Sequence, residues 1–265
     1  MQRTVMLWTE PFAESNMKFL RALLLTSLFV LGVQPSVAAN KKHQKAETAT
    51  FLLYGRSASA NRDHVPICTA FVYKKVSDGY NLLTAGHCFV NTGAPADVQY
   101  FVVPGQVVDG SYKGEDVEVL GAVDDGKMDV AELHLKTNKK YSVLELDNKL
   151  PKIDDKVFFV GYPAVVSQVV MTGRVESEVL RSNGPRNDCG ICEGRILVQI
   201  GGAGGASGSP VISEKTGKVV GILEGHAFEN GVLIVPASDV HVYLLRATLP
   251  KYVPVKNESG EGDQP

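Results

Sequence analysis

The chain has 265 residues, 44% of them apolar and 21% charged, with a formal net charge of -2. That composition is ordinary for a folded protein able to bury one large core or two small ones, and it excludes disorder of the whole chain. Near-neutral charge supplies no broad basic surface for nucleic acid and no acidic tail of the kind that solvates a disordered chain.

At the N-terminus, Lys18 and Arg21 precede an apolar run from Ala22 to Val33, followed by the small residues Val37-Ala38-Ala39. This is the pattern of a secretory signal peptide over residues 17–39, with 1–39 as N-terminal extension and signal. Met17 makes a better start than Met1, because Glu10 and Glu14 dilute the positive segment. About a dozen apolar residues at roughly 1.5 Å rise span about 18 Å, short of a bilayer core of about 30 Å, so no stable membrane anchor is expected. The destination is the periplasm or the exterior, an oxidising environment for Cys68, Cys88, Cys189 and Cys192. Four cysteines allow three pairings. Around Cys189 and Cys192 no second pair of thiols or histidines stands at zinc-ligand spacing, and no metal is expected.

Residues 40–49 are polar and lysine-rich and read as a linker. The runs 50–54, 70–73, 99–103, 117–120, 130–135, 157–160, 196–200, 219–223 and 232–235 follow, rich in β-branched or aromatic residues with Gly, Asp, Asn or Pro nearby. These are strands closed by turns, and their spacing without helical periods predicts antiparallel barrels or a sandwich. One helix is signalled near the end. Ser238 or Asp239 can cap a segment whose Val242, Leu245 and Leu249 fall at helical spacing before Pro250, with Leu244 widening the stripe. Residues 251–265 read as a flexible tail. No fixed-period repeat is evident, but a boundary around 147–151 divides the strands into halves at 50–147 and 148–250.

Acyl transfer by serine needs a hydroxyl, an imidazole to take its proton and an acid to orient that imidazole. Ser207 lies in Gly204-Gly205-Ala206-Ser207-Gly208-Ser209-Pro210, where glycines permit a tight positive-φ turn that presents backbone amides. The amides of Gly205 and Ser207 are the candidate oxyanion donors. His87 lies in Leu83-Thr84-Ala85-Gly86-His87-Cys88, and Asp129 opens the run Asp129-Val130-Ala131-Glu132-Leu133. Asp124 and Asp125 are rival acids, but their neighbour Gly126 reads as a turn and neither leads directly into the apolar strand. His43, His64, His134, His226 and His241 lack a comparable setting and read as surface or loop residues, with His226 left open.

Residues 205–210 resemble the Gly-x-Ser-Gly-Gly/Ser-Pro motif of the chymotrypsin/trypsin-like serine proteases, including bacterial Deg-type and glutamyl-endopeptidase relatives. Residues 84–88 are similar to that family's Thr-Ala-(Ala/Gly)-His-Cys signature, and residues 129–133 resemble its Asp-(Ile/Val)-Ala-x-(Leu/Ile) strand start. The order His, Asp, Ser suits the family over roughly residues 50–245. A nucleophile elbow of an α/β-hydrolase would instead place Ser before Asp before His. The resemblance implies an all-β fold of two antiparallel six-stranded β-barrels with a C-terminal helix, and a secreted serine endopeptidase with His87, Asp129 and Ser207 as its triad. It implies no cofactor, a protein or peptide substrate, a monomer, and a Cys68–Cys88 disulfide that leaves Cys189 and Cys192 for each other. It also places Gly201, Gly202, Leu223, Glu224 and His226 around the primary specificity pocket. Gly201 and Gly202 stand where trypsin-like enzymes keep a carboxylate, so nothing there supports Lys or Arg preference. Glutamyl endopeptidases carry histidine where this chain has Leu223, and the pocket is expected to take small or apolar side chains. Ala206 replaces the aspartate that pairs with a freed N-terminus in animal digestive members, so no such insertion is expected. The alternative reading is a protease-fold binding module, or a narrow self-processing enzyme with little general activity. Ester hydrolysis without a peptide role is a weaker third reading.

Overall fold

The computed structural model describes residues 37–57, 62–90, 97–105, 114–165, 167–181, 193–228, 231–246 and 250–252. The leader over 17–39 falls almost wholly outside them, as do Cys189, Cys192 and the tail from 253. Among the described residues no helix is long and apolar enough to cross a membrane.

Among the described residues twelve strands form two closed antiparallel barrels. The first contains β1 (Thr50–Ser57), β2 (Arg62–Val76), β3 (Gly79–Thr84), β4 (Gln99–Pro104), β5 (Glu115–Asp124) and β6 (Asp129–Lys136), in the order β1-β2-β3-β6-β5-β4. The second contains β7 (Lys156–Gly161), β8 (Val169–Val175), β9 (Ile196–Gln199), β10 (Pro210–Ser213), β11 (Val219–Phe228) and β12 (Gly231–Pro236), in the order β10-β11-β12-β9-β8-β7. Pairing of β1 with β4 closes one cylinder, and pairing of β7 with β10 closes the other. The expected boundary at 147/148 falls in the connection between β6 and β7. Three strands go beyond the nine read from the sequence: β3, β8 and β10. Two of them lead into or out of the His and Ser motifs, and β8 is mostly half-buried, with Thr172, Gly173 and Arg174 interrupting its apolar pattern.

Many strands are buried on both faces, which is why they read as continuous apolar runs. Phe51 and Leu53 point into the first barrel, while Leu52 and Tyr54 on the opposite face pack with Tyr162 beyond β7. In β7, Val157 and Phe159 fill the second barrel, whereas Phe158 and Val160 join Phe71, Leu83, Val130, Ile212 and Ile222 in a third cluster between the cylinders. Each such side chain contributes roughly 1.5–3 kcal/mol by leaving water. This shared core joins the two barrels.

Two departures concern helices. Residues 40–49, expected as a linker, carry most of an α-helix, α1 (Val37–Glu47). Ala, Lys, Gln and Glu are good helix formers, so polarity alone misleads here. Ala46 is buried, and Lys42 and His43 bond to Glu214 after β10. The second helix, α2 (Ala237–Arg246), starts before the expected caps, with Ser238 and Asp239 inside its first turn. Its buried face is Ala237 and Val240, with Tyr243 and Leu244 packed against the core, while Val242 and Leu245 are exposed. The stripe drawn through Val242 and Leu245 is thus one position out of phase. Two of the histidines read as surface or loop also differ: His43 packs on Phe158, and His134 lies half-buried on β6 beside Asn81 and Asp78.

Candidate active site

His87 follows β3 in a single 3-10 turn, Gly86–Cys88. A Cβ on Gly86 would stand 1.9 Å from the Val123 carbonyl oxygen, so only glycine lets this turn lie against the end of β5. Cys88 is bonded to Cys68 of β2, which ties the turn to the first barrel. The three residues Cys68, His87 and Cys88 cluster at metal-binding distances, but the two sulfurs are joined to each other and do not serve as thiolate ligands.

Asp129 opens β6 and is 1% exposed. Ahead of it Asp125 closes the β5–β6 turn, its Oδ1 accepting the amides of Lys127 and Met128, each at 2.9 Å. These amide bonds are the leading cause that holds the Asp125 carboxyl below its ordinary value. The Asp129 carboxylate then takes His87 with both oxygens, Oδ1 from the backbone amide at 2.7 Å and Oδ2 facing Nδ1 at 2.8 Å. That fixes the ring and leaves Nε2 for the cleft. Burial works to lower the His87 pKa, but the bond to Asp129 and the charges of Asp129, Glu224 and Asp124 outweigh it and leave it raised. Asp124 faces Asp129 across the hairpin, and burial, then the Asp129 charge, push its carboxyl up.

Ser207 sits on a turn fastened from several sides. The Ala206 amide donates to Ala203 O at 3.0 Å, and Gly205 adopts φ 91°. Gly204 O accepts from the Ala164 amide at 2.7 Å. Thr69 of β2 reaches across from the first barrel: its amide donates to Ser207 O at 2.8 Å and its hydroxyl to Gly205 O at 2.8 Å. The same hydroxyl accepts the Tyr162 amide at 3.1 Å. With these carbonyls engaged elsewhere, the amides of Gly205 and Ser207, on either side of Ala206, donate to no described group. Gly208, at φ 85°, brings the chain so close to β2 that a Cβ would meet Thr69 O at 2.1 Å. Ser207 Oγ donates to the carbonyl of Glu224 at 3.0 Å, and among the described residues no hydrogen bond joins it to His87 Nε2.

The five expected pocket residues separate. A Cβ on Gly202 would meet Val232 Cγ1 at 3.1 Å and His226 Cε1 at 3.2 Å, so Gly202 and the His226 ring face each other. Gly201 similarly faces the Met171 methyl at 2.8 Å. Leu223 lies in the core of the second barrel. The Glu224 carboxylate turns to Arg195, a side chain 1% exposed that the sequence reading passed over. Burial outweighs that guanidinium and leaves Glu224 above the ordinary carboxylate value. A lone arginine heading a strand, in Gly194-Arg195-Ile196, carries no signal that it will be buried.

The profile of the trypsin-like peptidase domain matches residues 68–222, more than half of the chain. The chain belongs to the trypsin-like peptidase family. Solved structures agree on the fold. The Rv3671c protease from M. tuberculosis, in its active form, is 20% identical with a TM-score of 0.61, over 84% of this chain and 89% of that one. The serine endoprotease from Yersinia pestis is 19% identical with a TM-score of 0.58, over 81% of this chain and 67% of that one. No curated protein matches the sequence of this trypsin-like peptidase.

Proposed function

We propose that this chain is a secreted serine endopeptidase that works through an acyl-enzyme, with Ser207 as nucleophile, His87 as general base and then acid, and Asp129 as the acid that orients His87. The observation that carries the reading is the double attachment of His87 to buried Asp129, beside a serine turn whose Gly205 and Ser207 amides are open. Ser207 Oγ would leave the Glu224 carbonyl for His87 Nε2 as a peptide seats, since such bonds often tighten only in the substrate complex. The carbonyl oxygen of the scissile bond would then lie against the two amides as it gains charge. Residues 17–39 would direct export, residues 50–147 would supply His87 and Asp129, residues 148–250 would supply Ser207, and the mature chain would act as a monomer.

For the primary pocket, Gly201, Gly202 and His226 are the residues we assign. The Glu224 carboxylate is committed to Arg195 and is no free counter-charge for a cationic side chain, which supports small or apolar residues at the cleaved position. The test compares cleavage of casein and a mixed peptide library by residues 40–265 and by its Ser207→Ala variant. Cleavage by the first and none by the second is expected. Equal inactivity of two folded samples would defeat this reading in favour of a binding module or a narrow self-processing enzyme, to which the resting Ser207–Glu224 bond would then belong.

A further inference from the structure

Among the described residues Arg195 is the most deeply buried charge outside the proposed triad, at 1% exposure. Its Nε and Nη2 grip the two carboxylate oxygens of Glu224, the Nη2 to Oε1 bond at 3.1 Å. Its Nη1 donates to Lys127 O at 2.8 Å and, more weakly, to Glu193 O at 3.4 Å. Glu224 is the extra residue of a β-bulge: Leu223 pairs with Ile234 and Gly225 with Leu233, so nothing on β12 stands opposite it. A bulged residue is not held by the ladder, and bulges re-aim chain beside functional sites. Yet the Glu224 carbonyl is the acceptor for Ser207 Oγ. Lys127 lies two residues before Asp129, in the turn closed by Asp125. One guanidinium therefore touches the segment that holds the serine in the second barrel and the turn that leads to the aspartate in the first.

We propose that the Arg195–Glu224 pair is a positioning strut for the active site, in which Arg195 fixes the bulged Glu224 carbonyl beneath Ser207 and, through Lys127, the approach to Asp129. The inference rests on the triad assigned above. Arginine suits the task because its rigid fork can serve a carboxylate with one edge and a carbonyl with another, which a single ammonium cannot do in the same geometry. A strut acts through Ser207 and Asp129, so its loss lowers turnover more than substrate binding.

Removing one member alone would leave an unpaired buried charge and confound stability with function, whereas exchanging both for apolar residues of similar length often preserves stability. The test is the Arg195→Met/Glu224→Met double variant beside Arg195→Lys, which keeps a charge pair. Melting temperature, kcat, KM and amide exchange at Lys127–Val130 are measured for each. In the folded double variant, kcat falls about 10- to 100-fold with KM within about twofold, as a displaced reacting group predicts. Exchange in the turn speeds up about tenfold as its outside tether is lost. Arg195→Lys gives intermediate values, and it carries the test if the double variant does not fold. Wild-type kcat or wild-type exchange in a folded double variant overturns the strut. Inactivity of the wild-type enzyme equal to that of Ser207→Ala would defeat the endopeptidase reading instead, and the exchange arm would still decide the strut.

Discussion

Removal of the Cys68–Cys88 bond by the double variant Cys68→Ala/Cys88→Ala separates what the disulfide does for stability from what it does for the site. The bond closes a loop with a sequence separation of 20. The chain-entropy relation gives such a closure about 3 kcal/mol, acting on the unfolded chain. A domain of this size loses about 2–4 °C of melting temperature per kcal/mol, so the expected drop is about 6–12 °C. Both cysteines are 2% exposed inside the first-barrel core, so small voids push the drop toward the upper figure. His87, by contrast, is held by two Asp129 bonds, one at its backbone amide and one at ring Nδ1, neither of which passes through sulfur. Peptidase activity at 25 °C should therefore stay within about tenfold of the parent enzyme, the loss coming from a looser turn. Calorimetry and peptide hydrolysis on the same samples read both quantities, and the double variant confines the change to this one bond. A drop under about 3 °C would refute the loop-closure argument. A loss beyond about a hundredfold in a folded variant would refute the claim that Asp129 rather than the disulfide sets the ring.

Asp129→Asn should lower kcat by about 10⁴-fold through loss of the correct His87 tautomer. Only the neutral imidazole accepts a proton, so activity falls as pH drops through the His87 pKa; because that pKa is raised, the acid limb of kcat/KM lies above the ordinary imidazole value. Asp129→Asn removes the charge responsible and should move the limb to lower pH, and an unmoved limb would contradict the assignment. Thr69→Val leaves the Tyr162 amide without its acceptor and the Gly205 carbonyl without its donor, a loss of about 1–3 kcal/mol for each buried orphan. Steady-state kinetics should show kcat falling more than KM, and unchanged kcat would mean that Thr69 does not hold the oxyanion turn. Ala206 is buried and its turn is closed by Ala203, Ala164 and Thr69. Chains beginning at residue 40 and chains carrying a short N-terminal extension should therefore share one kcat, whereas activity that appears only after a further N-terminal cut would show that a freed amine is needed.

Legibility in the sequence followed how local each determinant is. The His87 and Ser207 turns are written in contiguous residues, because the glycines that permit them, Gly86, Gly205 and Gly208, are neighbours of the residues they present. Asp129 is legible for the same reason: it heads an apolar strand, while Asp124 ends β5 opposite it and Asp125 closes the turn between them. Strands buried on both faces, such as β1 and β7, announce themselves as apolar runs, but short β10 and half-buried β8 do not. The phase of α2 is not legible because Val242 and Leu245 look as apolar as Val240, and only the position of the barrel beneath decides which of them is covered. Glu224 and Arg195 are the instructive pair. They are 29 residues apart in the chain, and their meeting depends on a bulge that turns one out of the alternation of β11 and on a turn that sends the other inward ahead of β9. A charge that sequence alone assigns to solvent or to a specificity pocket is thereby consumed internally, and the nucleophile's resting partner is the main-chain carbonyl of the same residue whose carboxylate Arg195 holds.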